Sequence, residues 1–201
     1  MTSNLMSRRT VLAGLVTSTA VLLAPRAMAL TTNEARTIID AAVRDITRVI
    51  NSGKSEQAMY GDFENIFRKY ADVPTIARSA LGPPARSASS AQLKSFGDAF
   101  TSYLARKYGR HFRDFIGGEV TVTDARQVKS FQEVQAVANL RGQNPFRVSF
   151  MLSDRSGSPK FFDLVVEGVS LLKSERAEIG AMLDASGGSV DKLIDRLKAS
   201  A

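Results

Sequence analysis

The chain has 201 residues, 27 Lys+Arg against 20 Asp+Glu, one His and no Cys. That length suits one domain with a real core. Without cysteine, a disulfide framework, thiol nucleophiles and thiolate metal sites are all excluded.

The first 29 residues read as an export signal. Arg8-Arg9 precedes an apolar run from Val11 to Ala24 that is interrupted by Thr17, Ser18 and Thr19. The run is too short and too polar for a membrane span, and Ala27-Met28-Ala29 offers the small residues a signal peptidase reads. The paired arginines suggest the twin-arginine route. An uncleaved N-terminal anchor is the alternative. Cleavage after Ala29 leaves a single domain, residues 30–201. The leader holds Arg8, Arg9 and Arg26 and no acid, so its loss takes the formal charge from +7 to +4. That excess is too small and scattered for nucleic acid. The densest basic group, at 106, 107, 110 and 113, suits a solvated helix face or attraction to anionic lipid headgroups.

Thr31-Thr32-Asn33-Glu34 fits a capping box, and Ile38 to Ile50 carries helical apolar spacing up to the stop at Asn51-Ser52-Gly53. A second helix places Met59, Phe63, Ile66, Phe67 and Tyr70 on one side. Asp72 caps a short third helix, Val73 to Leu81, with Pro74 in its first turn. A long fourth helix starts after Ser89 or Ser90 and is expected to run to Gly117-Gly118. Its stripe is Leu93, Phe96, Phe100, Leu104, Tyr108 and Phe112 or Phe115.

The period then changes to two. Strands are expected at Glu119–Val128, around Val134–Leu140, around Phe146–Leu152 and at Lys160–Leu172. Two short helices finish the chain, the last opened by Gly187-Gly188-Ser189. The fold class is therefore α+β, with helices on one face of a curved antiparallel sheet of about four strands. Phe96, Phe100, Leu104 and Tyr108 should face Val148, Phe150, Leu164 and Val166. Periodicity does not distinguish a solid core there from a cavity.

Catalytic chemistry has little support. His111 stands alone between Arg110 and Arg113, which repel a metal cation, and no Gly-x-Ser-x-Gly turn or paired-histidine motif occurs. Asp163 and Glu167, read as strand neighbours about 13 Å apart, are too distant to share a proton task. No catalytic residue, metal or cofactor is expected.

Several separated segments together resemble the MlaC/Ttg2D family of periplasmic lipid-binding proteins. They are Ile76-Ala77-Arg78-Ser79-Ala80-Leu81-Gly82, the helix from Ala91 through Tyr108-Gly109, and Asp163-Leu164-Val165-Val166-Glu167-Gly168-Val169-Ser170. The last is the most specific. The chain departs from the family in having Ala85 where a large aromatic usually stands, Ser174-Glu175 where Asn-Tyr precedes the arginine, and no Trp.

The resemblance implies an NTF2-like or cystatin-like domain holding lipid tails between sheet and helices. The implied lipid-binding residues are the eight named above plus Val169. It also implies a phospholipid ligand, passed between an outer-membrane lipoprotein complex and an inner-membrane ABC transporter to maintain lipid asymmetry. Alternatives are a polycyclic lipid such as a hopanoid, a non-carrier interaction module with a solid core, and an enzyme using the pocket for a small substrate.

Overall fold

The computed structural model describes residues 29–200, without the side chains of residues 112 and 113. The export leader therefore lies outside the described residues, apart from Ala29.

The helical half forms as local chemistry dictates. Helix α1 (Thr32–Ile50) opens with the expected capping box: Glu34 N–H donates to Thr31 Oγ1 and Thr31 N–H to the Glu34 carboxylate. Helix α2 (Glu56–Tyr70) is capped by Ser55, and α3 (Val73–Leu81) by Asp72, with Pro74 in its first turn. Helix α4 (Ser90–Gly109) has a second capping box from Ser89 and Gln92. It ends eight residues before the expected Gly117. At Gly109 the Tyr60 ring stands where a Cβ would be, 2.7 Å from its ideal position. The chain then tightens, with His111 N–H donating to the Tyr108 carbonyl, into a 3-10 turn at Phe112–Phe115.

Five strands follow in antiparallel order: β1 (Glu119–Val128), β2 (Phe131–Asn139), β3 (Phe146–Ser153), β4 (Lys160–Val166) and β5 (Val169–Ser170). Irregularities at Val122/Asp124 and Met151/Leu152 bend the sheet. Val134, Ala136, Ala138, Val148, Phe150 and Leu152 face the helices and are buried.

The fourth strand is shorter than its sequence suggests. Glu167 and Gly168 both take positive φ, 46° and 82°, and form a two-residue turn pairing Val166 with Val169. Ser170 then caps α5 (Leu171–Asp184), and α6 (Val190–Ala199) closes the chain. The Asp163 carboxylate, facing the α5 start, accepts from Ser170 Oγ at 2.6 Å and Leu172 N–H at 3.0 Å. Glu167 accepts from the Arg147 backbone N–H. The Asp163/Glu167 pair is thus a turn and cap device.

Helices α1 and α2 are tied through Asp45, which accepts from Lys69 Nζ at 2.9 Å and Tyr70 Oη at 2.7 Å. Those bonds hold the Asp45 carboxyl down to about 2. A pKa lowered by folding adds stability above the unfolded value near 4, lost as pH falls through about 2. Asp45→Asn should therefore lower Tm at neutral pH. The gap to the parent should close on acidification below about pH 4, as thermal melts across pH would record.

Candidate functional site

The inner face of the sheet and the helices do not meet as a solid core. They enclose a cavity of about 550 Å³, within the size of a small-molecule site, whose walls are almost wholly apolar. From α1 come Val43, Ile46 and Ile50, and from α2 come Phe63, Phe67 and Tyr70. Helix α4 supplies Phe100, Leu104 and Tyr108. The strands supply Val120, Ala138, Phe146, Val148, Phe150, Leu164 and Val166.

Seven of the nine sequence-predicted residues line this space: Phe100, Leu104, Tyr108, Val148, Phe150, Leu164 and Val166. Two do not. Phe96 is fully buried, stacked 5.5 Å from Phe100, in the part of α4 that packs on α3; next to it, Gly97 lies against Ala77 and Val73. Val169 is 57% exposed. It shares a sheet face with Val166, its cross-strand partner, but β5 is the sheet edge, so nothing covers it.

Thr47, Asn51, His111 and Asp163 also line the cavity, but the buried polar side chain of the wall is Glu175, 3% exposed. Its Oε1 accepts from Lys107 Nζ at 2.7 Å and Tyr108 Oη at 2.5 Å, while Oε2 has no hydrogen-bond partner. Lys107 also pairs with Glu178, which accepts from the Tyr103 hydroxyl. Burial and the Glu178 bond push Tyr103 up to about 12, and burial and the Glu175 bond raise Tyr108 further. Burial opposes the Lys107 charge, but the two carboxylates outweigh it and raise its pKa. The same contacts outweigh burial at Glu178 and lower its pKa.

The basic group expected at 106, 107, 110 and 113 is therefore not one open patch. Lys107 closes this α4–α5 clasp, and Arg106 donates to the Leu197 carbonyl at 3.0 Å. Glu175 was legible in one respect: it follows Leu171 and precedes Ile179 and Leu183 at four-residue steps, an acid on an apolar helix face.

His111 is exposed beside Asp114 at the cavity's edge, with Nδ1 and a carboxylate oxygen 3.8 Å apart. Among the described residues, no group of three acidic or histidine side chains could hold a metal ion. The cavity offers volume and apolar surface.

A family model, that of the MlaC protein, matches residues 40–199. The chain belongs to the MlaC family. Among solved structures it is similar to the phospholipid-binding protein from Ralstonia solanacearum, which was determined in complex with a phospholipid. The two share 19% identity and superpose with a TM-score of 0.71 over 83% of this chain and 96% of the other. At that identity the likeness bears on fold, which among the described residues is six α-helices on an open five-stranded antiparallel sheet. The MlaC family member thus has the α+β architecture expected from its sequence, with a fifth, two-residue strand added.

Proposed function

We propose that this MlaC-family chain is a periplasmic phospholipid carrier, shuttling lipid between an outer-membrane lipoprotein complex and an inner-membrane ABC transporter and so maintaining lipid asymmetry. One observation carries the reading: the apolar cavity of about 550 Å³ between sheet and helices. Each methylene withdrawn from water gains about 0.8 kcal/mol, so acyl chains need such a shelter to cross an aqueous gap. The phospholipid in the Ralstonia protein, which has the same fold, supports the ligand class. Phe100, Leu104, Tyr108, Val148, Phe150, Leu164 and Val166 are the proposed tail contacts.

In this reading residues 1–29 are removed on export. Leu30 supports that boundary. It is buried, its carbonyl accepts from Gln132 Nε2 at 2.9 Å, and its N–H donates to Asp154 at 2.9 Å. Cleavage after Ala29 converts that amide to an ammonium beside a carboxylate. Intact mass of exported protein tests this; retention of Met1 contradicts it.

The carrier reading is tested by moving labelled phospholipid between vesicles that carry the inner-membrane transporter and vesicles that carry the outer-membrane complex. Transfer should rise in proportion to protein concentration; transfer at the protein-free rate overturns the proposal. Cavity volume gives a second expected result. Leu104→Trp overpacks a filled core, at about 1–3 kcal/mol, but here the ring enters open space. The variant should fold with Tm close to the parent's and carry less lipid, measured by extraction from the same preparation.

A further inference from the structure

The clasp in the cavity wall leaves one group unspent. Glu175 is 3% exposed and lines the cavity, and among the described residues its Oε2 is the one buried carboxylate oxygen without a hydrogen-bond partner. Oε1 is committed to α4, accepting from Lys107 Nζ at 2.7 Å and Tyr108 Oη at 2.5 Å. Lys107 also pairs with Glu178, so one lysine is shared by two carboxylates and the group keeps one negative charge in excess. Among the described residues no second cation pairs with Glu175. Arg106 donates to the Leu197 carbonyl, Arg110 interacts with Tyr60, Arg176 lies against Gly82, and Lys173 is exposed. Asp163, the other acid lining the cavity, is spent on Ser170 Oγ and Leu172 N–H.

The clasp lies toward the cavity's opening. Tyr108 lines the cavity about one turn before His111, which lines its edge and is exposed, and the Lys107 side chain is 30% exposed. An amphiphile with its tails in the apolar interior leaves its polar part at this end. A buried acceptor without a donor carries the full cost of its lost hydration. Closed off from solvent and with Oε1 already engaged, Glu175 is relieved of that cost by a donor on whatever fills the cavity.

Resting on the carrier reading, we infer that Glu175 is a ligand-binding residue that selects lipids whose polar part carries a hydrogen-bond donor, a hydroxyl or an ammonium. The chemistry separates common phospholipids cleanly. Phosphatidylethanolamine has ammonium N–H groups and phosphatidylglycerol has hydroxyls, whereas the quaternary ammonium of phosphatidylcholine has nothing to donate. A hydrogen bond to a charged acceptor is also stronger than one between neutral groups, which makes the carboxylate a discriminating partner. A water molecule serving Oε2 in the wall is the competing arrangement, and it gives no preference among the three lipids.

Lipid-free protein is loaded from mixed detergent micelles holding equal amounts of the three phospholipids with identical acyl chains, and the bound species are identified by native mass spectrometry. The donor-bearing lipids should be retained about tenfold over phosphatidylcholine. Preference for both supports the shared donor. Preference for phosphatidylethanolamine alone assigns the ammonium, and for phosphatidylglycerol alone the hydroxyl. Glu175→Gln reverses the polarity of the site. Tyr108 still requires an acceptor, so the amide oxygen takes the place of Oε1 and the NH2 group, a donor, takes that of Oε2. The preference should fall to parity or below. If that variant folds poorly, Lys107→Met/Glu175→Gln, which removes the cation along with its partner, carries the same expectation, and the parent's preference is read without any substitution. Equal loading of the three lipids by the parent, or a preference unchanged in the variants, overturns the inference and leaves the carrier reading standing. A parent that loads none of them removes both.

Discussion

Lys107→Met is expected to destabilise the protein by about 3 kcal/mol, the lower end of the range for breaking a buried pair because Lys107 is partly exposed. Lys107 is the cation against the buried Glu175 carboxylate, whose other oxygen is already without a hydrogen-bond partner. Removing it leaves a charge at an apolar wall with only Tyr108 as donor. Combining Lys107→Met with Glu175→Gln should recover most of the loss. The neutral amide still accepts from Tyr108, and no uncompensated charge remains. Urea denaturation of the parent, the two single variants and the double variant gives the coupling directly. Purely additive effects contradict the clasp.

Phe96→Ala should be about as costly, roughly 3–5 kcal/mol, because its ring is fully enclosed by protein and leaves a true cavity. Lipid per folded molecule should not change, since Phe96 does not line the existing space. Phe100→Ala, one turn along the same helix, should behave differently. Its ring stacks between Phe96 and Tyr103, at 5.5 and 6.3 Å, but also borders the cavity. Its loss enlarges a void already present, so lipid-free protein should lose less than half of what Phe96→Ala loses, while lipid capacity or affinity changes. Paired stability and lipid measurements on the two variants separate wall from core. Equal destabilisation with equal lipid content contradicts that division.

Much of the fold was legible because its signals are local. Thr31 with Glu34, Asp72 with Pro74, and Ser189 before an apolar run each set a helix start within a few residues. Alternation through Val134, Ala136 and Ala138, then Val148, Phe150 and Leu152, set the sheet face. The misread boundaries depend on non-local packing or turn chemistry. Gly109 ends α4 with Tyr60 against it, and Tyr60 lies 49 positions earlier. The Glu167-Gly168 turn hides in a run of strand-forming residues, with Glu in a left-handed position that more often takes Asn or Asp.

The site was legible as a face but not as a space. Phe96 and Phe100 carry the same ring at the same helical phase, yet one is core and the other wall. Ile46, Phe63 and Phe67 read as ordinary helix core and turn out to line the cavity. Helical period reports which side is apolar, not how far the opposing sheet stands from it. Val169 shows the same limit: it was expected at the lipid, but the Glu167-Gly168 turn, which periodicity does not reveal, puts it on the edge strand and outside the cavity lining.

Native mass spectrometry of the exported, purified protein addresses the central claim most directly. The account predicts a folded species heavier than the processed chain by the mass of a bound phospholipid, released by organic extraction. A stable, folded protein at the bare chain mass, which takes up no phospholipid when incubated with vesicles, would contradict it.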